Sequence, residues 1–584
     1  MQVLRKILNP LNLLVSLSVI GSLIWFHGYQ YQPHHLHPHL IYLHVCFGFY
    51  LIQFVLRAWM SGAFNKYLSE NKLEYFLFFA LVVEMAIGQI LGFSVAGRLL
   101  SFTGIENHDH VFILFLHIWL LLIVGIELGK ATTRSTIWKL SPPILFILSF
   151  VVLIIVGSSL LMLPEMTIDQ QGISFVDALF TSISANCVTG LTVVDTATYF
   201  SIKGKVLILL LVQLGGLNVI AFATYFISFF RTTLTGQGNV ATIRELLHTN
   251  NLGSTQNMVK KVVITTLVTE FIGTMILYQQ WSPSLAFTTK GEKLFYSAFH
   301  AISAFNNAGF TLFTDGFTNA RLQGAFPMHI TIAILIVLGG IGFTTIQDIF
   351  HPENLARSFK KGNFKIPVQS AIALISSALL IIVGAALFFV LENSNSMVQQ
   401  SNLAGIVTSF FQSITARTAG FNTVDIGGVT TATLALMMVL MFIGASSGST
   451  GGGIKTSTFA VLILAQWKRR ERENNYGNSF LTVNLVRKAT SILLYSLVVI
   501  IVGTVILMLV EPEKTFSGLL FEEISAIGTV GLSTGITSDL SPIGKVVIMV
   551  SMFIGRVGPL ALAYALIKSA TANVGNQEKG IMIG

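Results

Sequence analysis

The sequence predicts an all-α integral membrane protein, with four N-terminal transmembrane helices followed by four tandem copies of one helix–loop–helix unit. Three observations predict it. The first is composition: of 584 residues, 53% are hydrophobic and only 10% are charged, with a mean hydropathy of +0.74. Ordinary soluble domains carry roughly 25% charged residues, so this chain lacks the polar surface to cover several of them. The second is the length of its apolar runs, each sufficient for a helix to cross a hydrocarbon core of ~30 Å. The third is an internal repeat from Pro142 onward, and a repeat decides a fold more firmly than any single segment.

A formal charge of +9 raises nucleic acid as a partner, but the positions of the charges exclude it. With the N-terminus inside and alternating orientation, most of the 35 Lys and Arg fall in cytoplasmic segments. They include Arg5, Lys6, Arg57, Lys66, Lys72, Lys130, Arg134 and Lys139, then the stretches 231–261, 357–365 and 468–488, and Lys568 and Lys579. This is the positive-inside asymmetry, so the basic balance reports orientation and the partner is a lipid bilayer. The first apolar run, 11–26, carries no cleavage signal and is expected to be a retained anchor. Cys46 and Cys187 lie in or beside apolar segments; two such thiols make no disulfide framework or metal site of known spacing and read as small core residues.

The N-terminal extension, 1–141, holds apolar segments at 11–26, 40–56, 75–96 and 111–127. The repeats then occupy 142–230, 231–348, 349–467 and 468–584, the last three each opening with a cytoplasmic loop. Their first helices begin near Ile144, Val262, Val368 and Ala489, and their second near Gly204, Met328, Ala432 and Ile543. Between them lie half-apolar segments around 175–186, 294–306, 404–416 and 517–527. About twelve helical residues cover only ~18 Å, so these segments must enter the membrane and turn back. Backbone re-entering at that depth is tolerated only inside protein or along a cavity, so the pattern implies a cavity.

Aligning the copies gives Ile183-Ser184-Ala185 before Gly190, Ile302-Ser303-Ala304 before Gly309, Ile414-Thr415-Ala416 before Gly420, and Ile524-Ser525-Ala526 before Gly531. The third copy is one residue shorter between Ile and Gly. The turns themselves are Val188-Thr189-Gly190, Asn307-Ala308-Gly309, Thr418-Ala419-Gly420 and Thr529-Val530-Gly531. Any one could be a helix C-terminal turn, where Gly is expected; four at near-constant period are not explained that way. Gly permits φ > 0 and close backbone approach, and successive carbonyls can then replace an ion's hydration shell. Short helices pointing their negative C-terminal ends below such loops favour a cation. The ligand these parts suit is a dehydrated monovalent cation.

From Pro142 onward the chain resembles the Trk/Ktr/HKT superfamily of potassium transporters, whose four helix–pore-loop–helix repeats surround one pore. The resemblance implies K⁺ as the transported ion and a selectivity filter at the four turns, with Gly190, Gly309, Gly420 and Gly531 in the filter-glycine positions. Plant relatives with serine at the first position pass sodium; Gly190 matches the potassium-preferring type. The resemblance further implies a cell-membrane homodimer with one pore per protomer, gated by a cytosolic ring of nucleotide-binding RCK subunits. The basic loops 231–261 and 468–488 are long enough to dock such a ring. The chain has no Walker A sequence or dinucleotide fingerprint of its own, and the reading is not an enzyme. The tail 579–584 is similar to the short C-termini of Ktr-type members.

Two further features match. Small and polar residues at 444–458, among them Gly444, Ser446, Gly448, Ser449, Gly451, Gly452, Gly453 and Lys455, cannot hold a continuous helix in lipid. In the family this intramembrane loop blocks the pore below the filter. Arg556, in Gly555-Arg556-Val557-Gly558-Pro559-Leu560, costs at least ~2.5 kcal/mol in a membrane helix unless paired or wet. The family places an arginine here in the pore.

Two other functions were weighed. A sodium- or proton-coupled symporter built from broken helices usually carries a midplane carboxylate, and none of the four turns contains Asp or Glu. An intramembrane metalloenzyme would draw on His34, His35, His37 and His39, with His27 and His44 nearby. Pro33 and Pro38 among them indicate a wetted interfacial loop instead. Glu84, Glu127 and Glu270 lie in or at the edge of apolar segments, and Glu270 is expected to pair with a Lys or Arg across a helix contact.

Overall fold

The computed structural model describes residues 2–30, 33–91, 108–133, 142–230, 255–282, 285, 287–319, 321–350, 366–469 and 483–558. Regular structure among them is helical. The chain divides into two compact units, one of 1–139 with 163–165 and 287–294, the other of the remaining residues. Among the described residues, five helices are long and apolar enough to cross a membrane: Pro10–Gly28, Leu36–Met60, Lys260–Gln280, Val368–Glu392 and Val483–Val510.

The first unit contains α1 (Gln2–Gly28), α2 (Leu36–Met60), α3 (Phe64–Glu70), α4 (Lys72–Leu91) and α5 (His108–Thr133). The four long helices cover the four apolar segments of the sequence; 92–107, where the third was expected to end, lies outside the described residues. The short α3 was not anticipated. Val19, Leu23, Leu43, Phe47, Leu81 and Leu120 form its core. One ion pair crosses it: Arg57 Nη1 and Nη2 donate to Glu127 Oε1 and Oε2 at 2.7 and 3.0 Å, and Asn12 Nδ2 donates to Oε2 at 2.7 Å. This paired fork is the strong geometry for a guanidinium and a carboxylate.

The histidine-rich stretch is not the loop the prolines suggested. Pro33–His35 is a single 3-10 turn, and His37, His39 and His44 belong to α2. Pro38 is third in that helix, where a missing N–H costs nothing because first-turn donors have no intrahelical partner. His39 is buried.

In the second unit, four successive segments share one plan. Each has a long helix, a short helix, an irregular turn and another helix. The first is α6 (Pro142–Leu161), α7 (Phe175–Asn186) and α8 (Ile202–Phe230). The second is α9 (Thr255–Gln280), α10 (Lys290–Phe305), α11 (Phe326–Gly340) and α12 (Phe343–Phe350). The third is α13 (Val368–Glu392), α14 (Asn402–Thr415), α15 (Thr431–Phe442) and α16 (Thr456–Arg469). The fourth is α17 (Val483–Val510), α18 (Phe516–Gly528) and α19 (Pro542–Val557). Ser and Thr start the short helices. Ser174, Ser401 and Thr515 accept from Asp177, Ala404 and Gly518 N–H, and Thr289 accepts from Glu292 N–H. Such caps satisfy donors that a helix leaves open.

Apolar packing joins each segment to the next and the last to the first. Phe200 and Leu211 meet Phe299 and Phe310; Phe317 stacks on Phe421 at 5.3 Å. Met437 and Met441 pack with Phe521 and Ile524, and Leu519 and Ile548 pack with Phe150 and Phe180. The last contact is pinned by Lys545 Nζ to Asp177 Oδ1, 2.7 Å.

Two helices break. The third segment stops at Phe442 and resumes at Thr456, so the irregular stretch ends three residues before the expected Thr458. Thr456 Oγ1 bonds Ser446 Oγ at 3.1 Å and Ser457 Oγ meets Ser447 Oγ at 2.7 Å, which holds the first turn of α16. The second segment also breaks, bending 100° between α11 and α12; the sequence reading had a plain helix there. Gly342 turns this corner at φ +92°, and its Cα faces the Ser447 carbonyl.

Replacing Glu127 with Leu leaves Arg57 without its carboxylate. The expected loss is about 3 kcal/mol, the low end for a broken buried pair because Arg57 keeps 18% exposure. Thermal unfolding in detergent measures it, and adding Arg57→Leu recovers part of the loss.

Candidate functional site

All four sequence-aligned turns take the same uncommon backbone. Val188, Asn307, Thr418 and Thr529 have φ of +57°, +59°, +77° and +47°, and two residues on, Gly190, Gly309, Gly420 and Gly531 have +94°, +71°, +79° and +91°. A non-Gly residue, and a β-branched one above all, rarely adopts φ > 0, so four in register are held there by their surroundings.

The four glycines meet in cyclic order. A methyl added at Gly190 would strike the Ala308 carbonyl and the Gly309 Cα; at Gly309, the Ala419 carbonyl and the Gly420 Cα. At Gly420 it would strike the Val530 carbonyl and the Gly531 Cα, and at Gly531 the Thr189 carbonyl and the Gly190 Cα. Hence the carbonyls of Thr189, Ala308, Ala419 and Val530 each lie against the preceding turn's glycine, and the four turns close into a ring of backbone oxygen.

The Ile-Ser-Ala triplets prove to be the clamps. The Ser184, Ser303 and Ser525 carbonyls accept the N–H of Thr189, Ala308 and Val530 at 2.8, 2.7 and 2.9 Å. Ser184 and Ser525 Oγ accept the N–H of Gly190 and Gly531, both at 3.1 Å. Ser184 and Ser303 Oγ donate to the Leu191 and Phe310 carbonyls at 2.7 and 2.8 Å. The third turn, one residue shorter, cannot copy this. The Thr415 carbonyl takes both the Ala419 and Gly420 N–H, at 2.9 and 3.4 Å, and the Thr415 hydroxyl is buried without a partner. Thr189 and Thr529 Oγ1 are likewise buried and unpartnered.

The glycine-rich stretch after α15 docks directly beneath. A Cβ on Gly451 would strike Thr418 Oγ1, and one on Gly452 would strike Thr529 Oγ1. The stretch is sewn to the broken helix of the second segment: Ser446 N–H donates to the Gly340 carbonyl at 2.9 Å, Thr450 N–H to Gly339 at 3.3 Å, and Phe343 N–H to Gly448 at 2.9 Å. Its ends meet through Gly444 N–H and the Ile454 carbonyl, 2.9 Å. Gly448 and Gly453 take φ of +72° and +67°. Ser449 is buried here as well.

Two cations bind its carbonyls. Arg556 donates through Nη1 to Thr450 O and through Nη2 to Gly215 O, the latter at 2.7 Å. Lys455 Nζ donates to Gly451 O at 2.6 Å. Arg556 therefore has backbone partners, and it ties the stretch to α8. Pro559 and Leu560, beyond it, lie outside the described residues.

Sequence reasoning missed three contributors. Arg417, beside Thr418, is buried and donates to Ser377 O at 3.3 Å and Ser377 Oγ at 3.0 Å; Ser377 Oγ meets Ser446 Oγ at 3.3 Å. A hydrogen-bonded path thus runs from the third turn to the glycine-rich stretch. Glu522 collects Ser533 Oγ (2.6 Å), Thr534 N–H (3.0 Å) and Thr537 Oγ1 (2.8 Å), fixing the backbone beyond Gly531. Gly215, Gly339 and Gly555 pack against the carbonyls of Asn186, Phe305 and Ile527 at the ends of α7, α10 and α18. The recurrence of glycine about 24–30 residues after each turn was the available signal.

Glu270 corrects an expectation. Among the described residues no Lys or Arg pairs with it; Oε1 accepts from Asn306 Nδ2 at 2.9 Å and Oε2 from Gln213 Nε2 at 3.2 Å. Among the described residues no group of three or more His, Cys, Asp or Glu is arranged to hold a metal ion. Arg134, Lys139, Arg231, Arg244, the 357–365 cluster, Arg470, Arg472, Lys568, Lys579 and the tail 579–584 lie outside the described residues.

Ser184→Ala removes the two clamp bonds made by the hydroxyl and is expected to cost about 1–3 kcal/mol; Thr415→Val removes a hydroxyl that bonds nothing and is expected to be neutral or stabilising. Thermal unfolding of the two variants side by side measures the contrast.

A family model described as TrkH, cation transport protein, matches residues 110–573. The chain is 39% identical over 449 residues to Ktr system potassium uptake protein B of Vibrio alginolyticus, covering 76% of this chain and 95% of that one. It is 34% identical to the protein of the same name from Bacillus subtilis, covering 75% and 95%. It is also 34% identical to potassium/sodium uptake protein NtpJ of Enterococcus hirae, covering 76% and 98%. The crystal structure of the potassium transporter TrkH from Vibrio parahaemolyticus matches with a TM-score of 0.59 at 18% identity, covering 84% of this chain and 95% of that one. The chain is a multi-pass membrane protein and belongs to the TrkH family of cation transport proteins.

Proposed function

We propose that this protein carries potassium across the cell membrane through one pore surrounded by its four segments, as four helix–pore-loop–helix repeats. The observation that carries the reading is the cyclic approach of Gly190, Gly309, Gly420 and Gly531. In this reading the filter comprises Val188, Thr189 and Gly190; Asn307, Ala308 and Gly309; Thr418, Ala419 and Gly420; and Thr529, Val530 and Gly531. Their carbonyls replace the hydration shell of K⁺. The unpartnered hydroxyls of Thr189 and Thr529 supply further oxygen for a cation. The C-terminal ends of α7, α10, α14 and α18 lead into the four turns and add negative potential. Potassium as the cargo is supported by the names of the relatives from Vibrio alginolyticus and Bacillus subtilis.

The stretch from Gly444 to Lys455 is the gate. It lies under the filter threonines, and Arg556 and Lys455 add two positive charges that oppose a passing cation. Opening requires breaking its bonds to Gly339, Gly340 and Gly215 and swinging the loop aside. A homodimer served by a cytosolic nucleotide-binding ring completes the reading that the resemblance implies.

Potential-driven flux in proteoliposomes, comparing K⁺, Rb⁺ and Na⁺, tests the pore. Flux of K⁺ and Rb⁺ that follows the potential is expected; flux that requires a sodium or proton gradient would overturn the uniport. Gly190→Ser puts a Cβ against the Ala308 carbonyl and displaces one oxygen from the ring, so Na⁺ should then compete with K⁺. Deleting 448–453 should raise basal flux, since the loop that covers the filter is lost.

A further inference from the structure

Three imidazoles from three helices form an unbroken chain inside the first unit. His39 Nδ1 meets Ser22 Oγ at 3.0 Å, His39 Nε2 meets His117 Nε2 at 3.1 Å, and His117 Nδ1 meets His27 Nε2 at 2.9 Å. The rings come from α2, α5 and the last turn of α1. His39 and His117 are buried. Phe26 closes one side, stacked on His39 at 4.4 Å and edge-on to His117 at 5.0 Å.

The arrangement does not suit a single metal ion. His117 spends its two ring nitrogens on two different partners, and the nitrogens of one imidazole point away from each other, so His27 and His39 cannot share an ion with it. It suits a proton. A neutral imidazole has one N–H and one acceptor nitrogen, and two complete tautomer patterns satisfy every contact. In one, protons sit on His27 Nε2, His117 Nε2 and His39 Nδ1, which donates to Ser22. In the other they sit on His27 Nδ1, His117 Nδ1 and His39 Nε2, with Ser22 donating. A proton added at His27 Nδ1 and one released from His39 Nδ1 convert the first pattern into the second with no ring turning over.

Several other titratable groups among the described residues of the unit have partners of their own. Tyr42 donates to Ser18 Oγ at 2.7 Å, Tyr50 shares a bond with Ser16 at 2.8 Å, and His44 Nδ1 faces the Leu40 carbonyl at 2.6 Å. Glu127 is held by Arg57 and Asn12. Glu74 and Glu84, buried on α4, are engaged in interactions of their own, and Cys46 is buried on α2.

We propose that Ser22, His39, His117 and His27 form a proton-binding site that takes up one excess proton and shares it along the three rings. Two protons on neighbouring rings would place an N–H against an N–H and two like charges a few ångströms apart inside an apolar unit, so occupancy stops at one. Neither the site nor its test depends on the pore reading above.

The test is ¹⁵N NMR of histidine-labelled full-length protein in lipid, titrated from pH 8 to pH 4, with ring signals assigned by single substitutions. The expected result is one transition common to His27, His39 and His117, with uptake of one proton among them. In His117→Phe the two remaining rings are separated and should titrate at different pH, each taking its own proton. His27→Phe, at the end of the chain, keeps a shared proton between His39 and His117 and serves if the central substitution prevents folding. Independent uptake of a proton by each ring in the unaltered protein, or no uptake above pH 4, would overturn the proposal. So would stoichiometric Zn²⁺ binding that His117→Phe abolishes.

Discussion

Where the four irregular turns meet there is no room for a Cβ, and the second unit is arranged around that constraint. Each glycine faces the carbonyl of the next turn, so the turns can approach only as bare backbone. Bare backbone in a low-dielectric interior must have its donors satisfied, at a cost of a few kcal/mol for each one that is not. That requirement explains the buried serines under three of the turns, all of which accept an N–H through the carbonyl and two of which, Ser184 and Ser525, accept another through the hydroxyl. The clamps consume donors, and the Thr189, Ala308, Ala419 and Val530 carbonyls are left facing the neighbouring glycines.

The third segment departs from the other three, and its departures belong together. Its turn is one residue shorter, its clamp hydroxyl is idle, and its last helix stops at Phe442, just before Gly444. In the other segments the equivalent glycine lies within a helix, against the end of a short helix. Interrupting the helix frees backbone groups that need partners, and the bend between α11 and α12 supplies them through Gly339, Gly340 and Phe343. The two broken helices therefore complete each other's hydrogen bonding. An interruption in either alone would strand polar backbone in the apolar interior.

Three cations, the buried Arg417 and Arg556 and the half-buried Lys455, share this region, and the bonds they make run to carbonyl and hydroxyl oxygens. Carbonyl partners hold a cation in place without cancelling its charge, unlike the carboxylate that neutralises Arg57 in the first unit. A charge kept in this way still acts on its surroundings. Arg417 and Ser377 add a mechanical link, because the third turn and the glycine-rich stretch cannot move independently while that path is intact.

The sequence by itself determined a membrane protein with four matched turns. Glycine at fixed spacing reports a backbone need that no other residue meets, and a twelve-residue apolar helix cannot span a bilayer whatever it packs against. The Ser and Thr caps before the short helices were equally local and could have sharpened their starts. Tertiary structure decided the rest. A helical pattern shows which residues are apolar and not which neighbour each face meets, so Glu270 facing Asn306 and Gln213 in place of a cation could not be read. Nor could the bend at Gly342, since isolated glycines are tolerated in membrane helices and only the docking of Ser447 and Gly448 makes this one a corner. His117 looked unremarkable among apolar neighbours, and two prolines suggested a loop for His39. It took three helices packing in one register to bring these rings to hydrogen-bonding distance, and register between helices is set by side-chain packing, which a linear pattern does not encode.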